Sequence, residues 1–330
     1  IITLCGLGLG VLSLTAQDRQ DIVPPLAGWN YFGGDEFNGN AIDRTLWGLY
    51  GDKKKDYSNE TYGNNIGQGM AQTYRDKMVT VQDGKASVLA TREPIYTGLR
   101  YQKGVDTSPK MRAPLAPTHN FTKNGWWSGF LSSRDADNGG TYYPLYSRIE
   151  IKAKIPFSIG TWMALWLRHR YGGAGTFEID LEEFFVNDDQ KDYVAGWEKH
   201  TYHKKGKNFL HQSIHGLDYD QTEYDEKTKK YIPKTTSNHN PYADRVREIK
   251  FDPSKGFHVY GAQIDPEPGD SSRNLAVTFL LDGRVRSLFL TSEYKPKNLN
   301  YSSRYNALLQ NEYIKNNIDH IWDVAITGGI

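Results

Sequence analysis

The segment that most constrains this chain is Gly175-Thr176-Phe177-Glu178-Ile179-Asp180-Leu181-Glu182-Glu183-Phe184-Phe185. Phe177, Ile179 and Leu181 alternate with Glu178 and Asp180, which is the period of a strand with one face in a core. The polar face carries acids where a half-buried strand usually carries Thr, Ser or Lys. Carboxylates this close repel and raise one another's pKa. Such a face is either fully solvated, or holds a cation, or does chemistry.

Around this segment the chain reads as strands and turns. Met78 to Thr91 is a hairpin turning at Asp83-Gly84, and Leu275 to Leu290 another turning at Asp282-Gly283. Asn124 to Asp135, Leu145 to Ile155, Thr161 to Arg168, Leu210 to Gly216 and Phe257 to Ile264 supply further strands. Asp35-Glu36-Phe37-Asn38-Gly39 with Leu46-Trp47 reads as a turn flanked by buried aromatics. Tyr305 to Lys315 is the best helix candidate. Asn187 to Lys207 and Asp218 to Glu248 are hydrophilic enough to be long loops shaping a site. Many short strands with regular turns predict an all-β sandwich.

Residues 1–16 form an uncharged apolar run, too short to span a bilayer, and read as the core of a clipped signal peptide. Residues 17–28 read as linker and 29–330 as one domain. This predicts a secreted, periplasmic or cell-surface protein whose mature chain does not insert in a membrane. The single cysteine, Cys5, lies in the leader, where Ile2-Thr3-Leu4 lacks the small residue expected before a lipidated cysteine. The mature chain is therefore expected to have no disulfide, thiolate chemistry or cysteine-held metal. A net charge of +1 argues against nucleic acid as partner. With 22 Tyr, 13 Phe and 8 Trp, platforms for flat, neutral ligands are plentiful.

Among the readings of the acidic strand, geometry favours a pair of carboxylates acting on a glycosidic bond. Cleft-facing residues two apart on a strand sit roughly 6.6 Å apart at the backbone. Long Glu side chains on either side of an Asp converge to about 5–5.5 Å, the separation of a retaining pair. A calcium site is more often built on a loop that wraps the ion. In a regular strand Glu178, Asp180 and Glu182 would share the cleft face, and Glu183 would fall on the core face with Ile179 and Leu181. A bare carboxylate there costs several kcal/mol. One extra residue in a β-bulge brings Glu183 to the cleft, leaves Glu182 at the bulge and returns Phe184 to the core. The expected set is Glu178, Asp180 and Glu183.

The run Glu178-Ile179-Asp180-Leu181-Glu182-Glu183 resembles the Glu-x-Asp-x-x-Glu signature of glycoside hydrolase family 16, in the form associated with laminarinases, agarases and carrageenases. Its neighbours agree in order: Asp35-Glu36-Phe37-Asn38-Gly39 with Trp47, then Ser147 to Pro156, then Gly160 to Leu167, then Phe257 to Tyr260 and Phe279 to Gly283. Met163 stands where the family usually has proline, and Ile264 where it often has a cleft-lining tryptophan. The run Trp322 to Ile330 looks like the family's penultimate region, which leads us to expect a truncation before the last strand.

The resemblance implies a concanavalin-like β-jelly roll of two curved antiparallel sheets with substrate in the concave face. It implies Glu178 as nucleophile, Glu183 as acid/base and Asp180 as the residue between them that modulates both. Catalysis would need no cofactor, and the convex-face structural calcium of many members would involve Glu36. The expected substrate is a β-1,3- or β-1,3-1,4-glucan, with agarose, porphyran or carrageenan as the alternative, and the expected state is a monomer. Alternation on the strand before the acids places Trp162, Trp166 and Arg168 toward the cleft, with Trp166 stacking on a sugar. Trp127 and His215 are further candidate sugar contacts. A non-catalytic carbohydrate-binding sandwich and a calcium-stabilised adhesion domain are the competing classes.

Overall fold

The computed structural model describes residues 26–49, 72–96, 121–156, 161–170, 178–185, 209–215, 222–225, 230–233, 243–244, 247–269, 274–291 and 318–329. Residues 1–25, Asn187 to Lys207 and the helix candidate at Tyr305 to Lys315 lie outside them.

In chain order the strands begin with β1 (Gly48–Leu49), β2 (Gln72–Tyr74), β3 (Val79–Gln82), β4 (Lys85–Val88), β5 (Ala90–Tyr96) and β6 (Phe121–Ser128). They continue with β7 (Phe130–Ser132), β8 (Ser147–Ala153), β9 (Trp162–His169), β10 (Glu178–Phe185), β11 (Phe209–His215), β12 (Thr222–Asp225) and β13 (Lys230–Pro233). The last are β14 (Ala243–Asp244), β15 (Arg247–Glu248), β16 (His258–Pro266), β17 (Leu275–Leu281), β18 (Arg284–Leu290) and β19 (Trp322–Gly329). Both turns expected from Asp-Gly are present. Asp83 and Gly84 have φ of 52° and 68°, and Asp282 and Gly283 have 50° and 71°, the left-handed pair a tight two-residue hairpin needs.

Two sheets carry the fold. The larger runs β1-β7-β19-β9-β10-β11-β14, with β15 also on β11, and the smaller runs β18-β17-β16-β8. Every pairing in them is antiparallel. Period-two alternation sends Leu167, Ile179, Leu210 and Ile214 of the large sheet inward. Tyr260, Ala262, Val277 and Phe279 of the small sheet meet them in one core. The Phe184 ring stands edge-on to Tyr260 at 6.3 Å, a contact that joins the two layers. Near the chain start, Asp35 accepts from the backbone N–H of Phe37 and from Trp47 Nε1, and Phe37 stacks on Trp47.

Two expectations are corrected. The segment Asp218 to Glu248 is not simply loop: β12 and β13 pair as a ribbon, and β14 and β15 extend the large sheet from β11. Tyr224-Asp225 facing Lys230-Tyr231 across that ribbon is a pairing of aromatic and opposite-charge residues that suits strands, so polarity alone misread it. Ile264 lines no cleft. It lies on the small sheet, fully buried between the layers, so the comparison with a cleft tryptophan does not apply.

Candidate active site

The acidic strand β10 lies in the middle of the large sheet, between β9 and β11. Against β9, Glu178 pairs with Arg168, Asp180 with Trp166, then Glu182 with Leu165 and Glu183 with Ala164. Leu181 is the extra residue, and it and Glu182 together oppose the single residue Leu165, which faces the core. The same irregularity falls between Asp180 and Glu183 against β11. The register therefore sets Glu178, Asp180 and Glu183 on one face of the sheet, turned away from the core. Across the ladders they are accompanied by Arg168, Trp166 and Ala164 on one side, and by His215, Ser213 and His211 on the other.

Glu182 does not stop at the bulge, as expected from the sequence, but turns into the core. It is 0% exposed, and among the described residues neither carboxyl oxygen has a hydrogen-bond partner. Burial, with Asp180 adding to it, pushes its pKa well above the ordinary 4.5. Two residues opposing one place both side chains on one side, so the bulge that frees Glu183 commits Leu181 and Glu182 to the interior. The distortion has its own support. Gln212, fully buried on β11, donates from Nε2 to Leu181 O at 3.1 Å and to Leu280 O of the small sheet at 3.3 Å.

Glu183 is gripped from both neighbouring strands. Trp162 Nε1 donates to its Oε1 at 2.8 Å. Ser213 Oγ lies 2.8 Å from Asp180 Oδ2 and 3.5 Å from Glu183 Oε2. Asp180 is 2% exposed and Glu183 7%, whereas Glu178 is half-buried. Two carboxylates held at fixed places by N–H and O–H donors, with a third beside them, are suited to proton transfer and nucleophilic attack on one bond.

The expected sugar contacts fare differently. Trp162 spends its indole N–H on Glu183. Trp166 is half-buried on the acid-bearing face, tilted against Phe130 at 5.9 Å. Arg168 does not reach into a cleft. It is 7% exposed, its guanidinium forms a salt bridge with Asp323 on β19, and it donates to Ser132 Oγ at 2.6 Å. Asp323 Oδ1 also accepts from Ser132 Oγ, Ser133 Oγ and the Arg134 N–H at 3.0, 3.1 and 2.8 Å. This satisfied ion pair consumes the charge expected to meet substrate, and the guanidinium lies 4.9 Å over the Trp166 ring. Arg168 thus braces Trp166 instead of binding a ligand itself.

The backbones of Trp127 and His215 are placed, on β6 and opposite Glu178, while their side chains lie outside the described residues. Glu36 is exposed, and among the described residues no group of three or more His, Cys, Asp or Glu side chains is placed to hold a metal ion. Ser213, Gln212 and Asp323 were missed from the sequence. Strand alternation alone puts Ser213 on the His211 and His215 face, and that was the available signal.

Comparison with known proteins bears on the fold. No protein-family model matches the chain. Glucan endo-1,3-β-glucosidase A1 of Niallia circulans is 26% identical over 177 residues, which are 51% of this chain and 22% of that protein. The catalytic domain of an endo-1,3-β-glucanase (laminarinase) from Thermotoga petrophila matches with a TM-score of 0.51 and 17% identity, over 90% of this chain and 84% of that one. The endo-β-1,3-glucanase of Pyrococcus furiosus gives 0.51 and 16%, over 90% and 82%. A structure described among the endo-acting O-glycanases with which human gut microbiota initiate mucin breakdown gives 0.54 and 19%, over 93% and 84%. The fold is the β-jelly roll of these enzymes.

Proposed function

We propose that this chain is a secreted, retaining, endo-acting β-glycanase of glycoside hydrolase family 16, with a β-1,3- or β-1,3-1,4-glucan as substrate. The observation that carries the reading is the bulge at Leu181, which brings Glu178, Asp180 and Glu183 to one face while the sheet continues on both sides. Glu178, the most accessible of the three, attacks the anomeric carbon and forms a glycosyl-enzyme intermediate. Glu183 gives its proton to the departing oxygen and then takes one from the attacking water. Asp180 shares the Ser213 hydroxyl with Glu183 and stands on the same face between the two glutamates. The apolar run at residues 1–16 supports secretion. The likeness to the mucin-degrading O-glycanases, with that to the glucanases, makes the sugar identity the open variable within one mechanism.

The test is release of reducing ends from laminarin, mixed-linkage β-glucan, agarose, porphyran, carrageenan and mucin O-glycans, with the anomer of the first product read by proton NMR. A retained β-anomer from a glucan, lost by at least about 10³-fold in Glu178→Gln, is expected. Release from a galactan or mucin alone would move the substrate but keep the mechanism. No release from any, with binding to one, would make the chain a carbohydrate-binding sandwich. An initially inverted anomer would overturn the double displacement.

A further inference from the structure

The acid-bearing face holds one group whose arrangement exceeds what the three acids require. Ser213 sits on β11 opposite Asp180, and its hydroxyl is within reach of two carboxylates at once, 2.8 Å from Asp180 Oδ2 and 3.5 Å from Glu183 Oε2. It is 4% exposed. A hydroxyl has one proton to donate and two lone pairs to accept with. It therefore serves one carboxylate as donor at any moment, and accepts from the other only if that one is protonated. The Trp162 N–H occupies Glu183 Oε1 and has no second position to turn to, so it fixes the carboxyl and leaves Oε2 on the Ser213 side.

Building on the glycanase reading above, we propose that Ser213 is a positioning residue whose hydroxyl turns between Asp180 and Glu183 as the acid/base changes protonation state during turnover. While Glu183 is protonated, its proton points to the glycosidic oxygen and Ser213 donates to Asp180. When Glu183 has passed its proton to the glycosidic oxygen, the hydroxyl rotates and donates to the new carboxylate at Oε2. When Glu183 takes a proton from the attacking water, the hydroxyl returns to Asp180. Ser213 keeps its own proton throughout; the proton that moves goes from Glu183 to the leaving oxygen and is replaced from water. Rotation about one Cβ–Oγ bond is all the device needs, and the unequal distances to the two acceptors match a resting state with the donor on Asp180.

Other charged or titratable groups face this pair and set the background of any pH effect. Glu178 lies on the same strand and the same face, and Glu182 lies behind it in the core. From β11, His211 opposes Glu183 and His215 opposes Glu178. From β9, Arg168 is held by Asp323 of β19. Ser213→Ala keeps all of these groups in the chain and removes the hydroxyl alone.

The experiment compares the full chain with Ser213→Ala and Ser213→Thr. On a substrate the parent hydrolyses, Ser213→Ala is expected to lose about 10- to 100-fold in kcat, the size of one hydrogen bond to a charged group, with KM within about threefold. The acidic limb of its pH–rate profile moves up, because the singly protonated pair loses its donor. Ser213→Thr, which keeps the hydroxyl, restores both. In parallel, carboxyl ¹³C NMR follows titration of the Asp180–Glu183 pair without substrate, and the pair titrates at higher pH in Ser213→Ala alone. A parent that hydrolyses nothing sinks the glycanase reading, and the NMR comparison still decides whether the hydroxyl serves both acids. A Ser213→Ala variant with unchanged kcat, unmoved acidic limb and unchanged carboxyl titration overturns the inference while leaving the glycanase standing; a merely structural serine would lower Tm and move none of these.

Discussion

Replacing Glu182 with Met tests the most costly feature of the site. Glu182 faces the core opposite Leu165, 0% exposed, with no hydrogen-bond partner for either oxygen among the described residues. Leaving a buried polar group unsatisfied costs about 1–3 kcal/mol even when it is uncharged. Burial that raises its pKa adds to this cost above pH 4.5, because the unfolded chain gives up the proton more readily than the folded one. Met has similar length and no such cost, so Glu182→Met is expected to gain at least about 1–3 kcal/mol, or roughly 2–5 °C in Tm for a domain of this size.

The sign of the pH dependence makes the test sharp. Above pH 4.5 the unfolded chain releases the Glu182 proton and the folded one retains it, so this contribution is fully present below pH 4.5 and declines as pH rises toward the raised folded value. His169 acts in the opposite sense. It packs edge-on to Trp322, and burial lowers its pKa from 6.5 to about 4, so its contribution is full above pH 6.5 and is lost as pH falls toward about 4. As pH climbs from 4.5 toward the raised Glu182 value, the two slopes oppose one another in the parent. Removing Glu182 leaves the His169 slope alone, and the stability of the variant rises relative to the parent across that interval. Thermal melts of both proteins over that interval and at neutral pH read it out. A variant that melts below its parent, or whose advantage is the same at every pH, would refute the reasoning.

Three further outcomes follow from the same contacts. Asp323→Ala removes the carboxylate that faces the buried Arg168 guanidinium, and is expected to cost about 3–5 kcal/mol in urea unfolding, where a purely surface pair would cost under about 1 kcal/mol. Changing Arg168 to Met and Asp323 to Leu together is expected to recover a large part of that loss, because the desolvation penalty leaves with both charges. Gln212→Leu leaves the Leu181 carbonyl of the bulge without its side-chain donor, and is expected to cost about 1–3 kcal/mol in stability and to lower kcat more than it raises KM; unchanged kcat would mean that the bulge holds Glu183 in place without Gln212.

What the sequence discloses about this site depends on whether the signal is local. The Asp-Gly hairpins, strands β8 to β11 of the two sheets and strands β16 to β18 announce themselves through turn chemistry and alternation, because each is decided by a few adjacent residues. The bulge is also legible, since six residues containing four acids cannot alternate regularly without sending one inward. Which acid goes inward is not legible from that argument alone. The expectation was that a bulge would spare the core a carboxylate. In the structure it exchanges one for another, because Leu181 and Glu182 oppose the same core-facing residue and both must follow it.

Nothing in Glu182-Glu183 distinguishes two identical neighbours; the register against β9 and β11 does, and that register is set by residues some 15 to 30 positions away. The same limit explains Arg168. Alternation put it correctly on the acid-bearing face, but its partner Asp323 is 155 residues distant, so no pattern around Arg168 shows that its charge is already paired. Local pattern thus chooses the face a side chain takes, while long-range pairing decides which side chains on that face are bound into the scaffold, as Arg168 is.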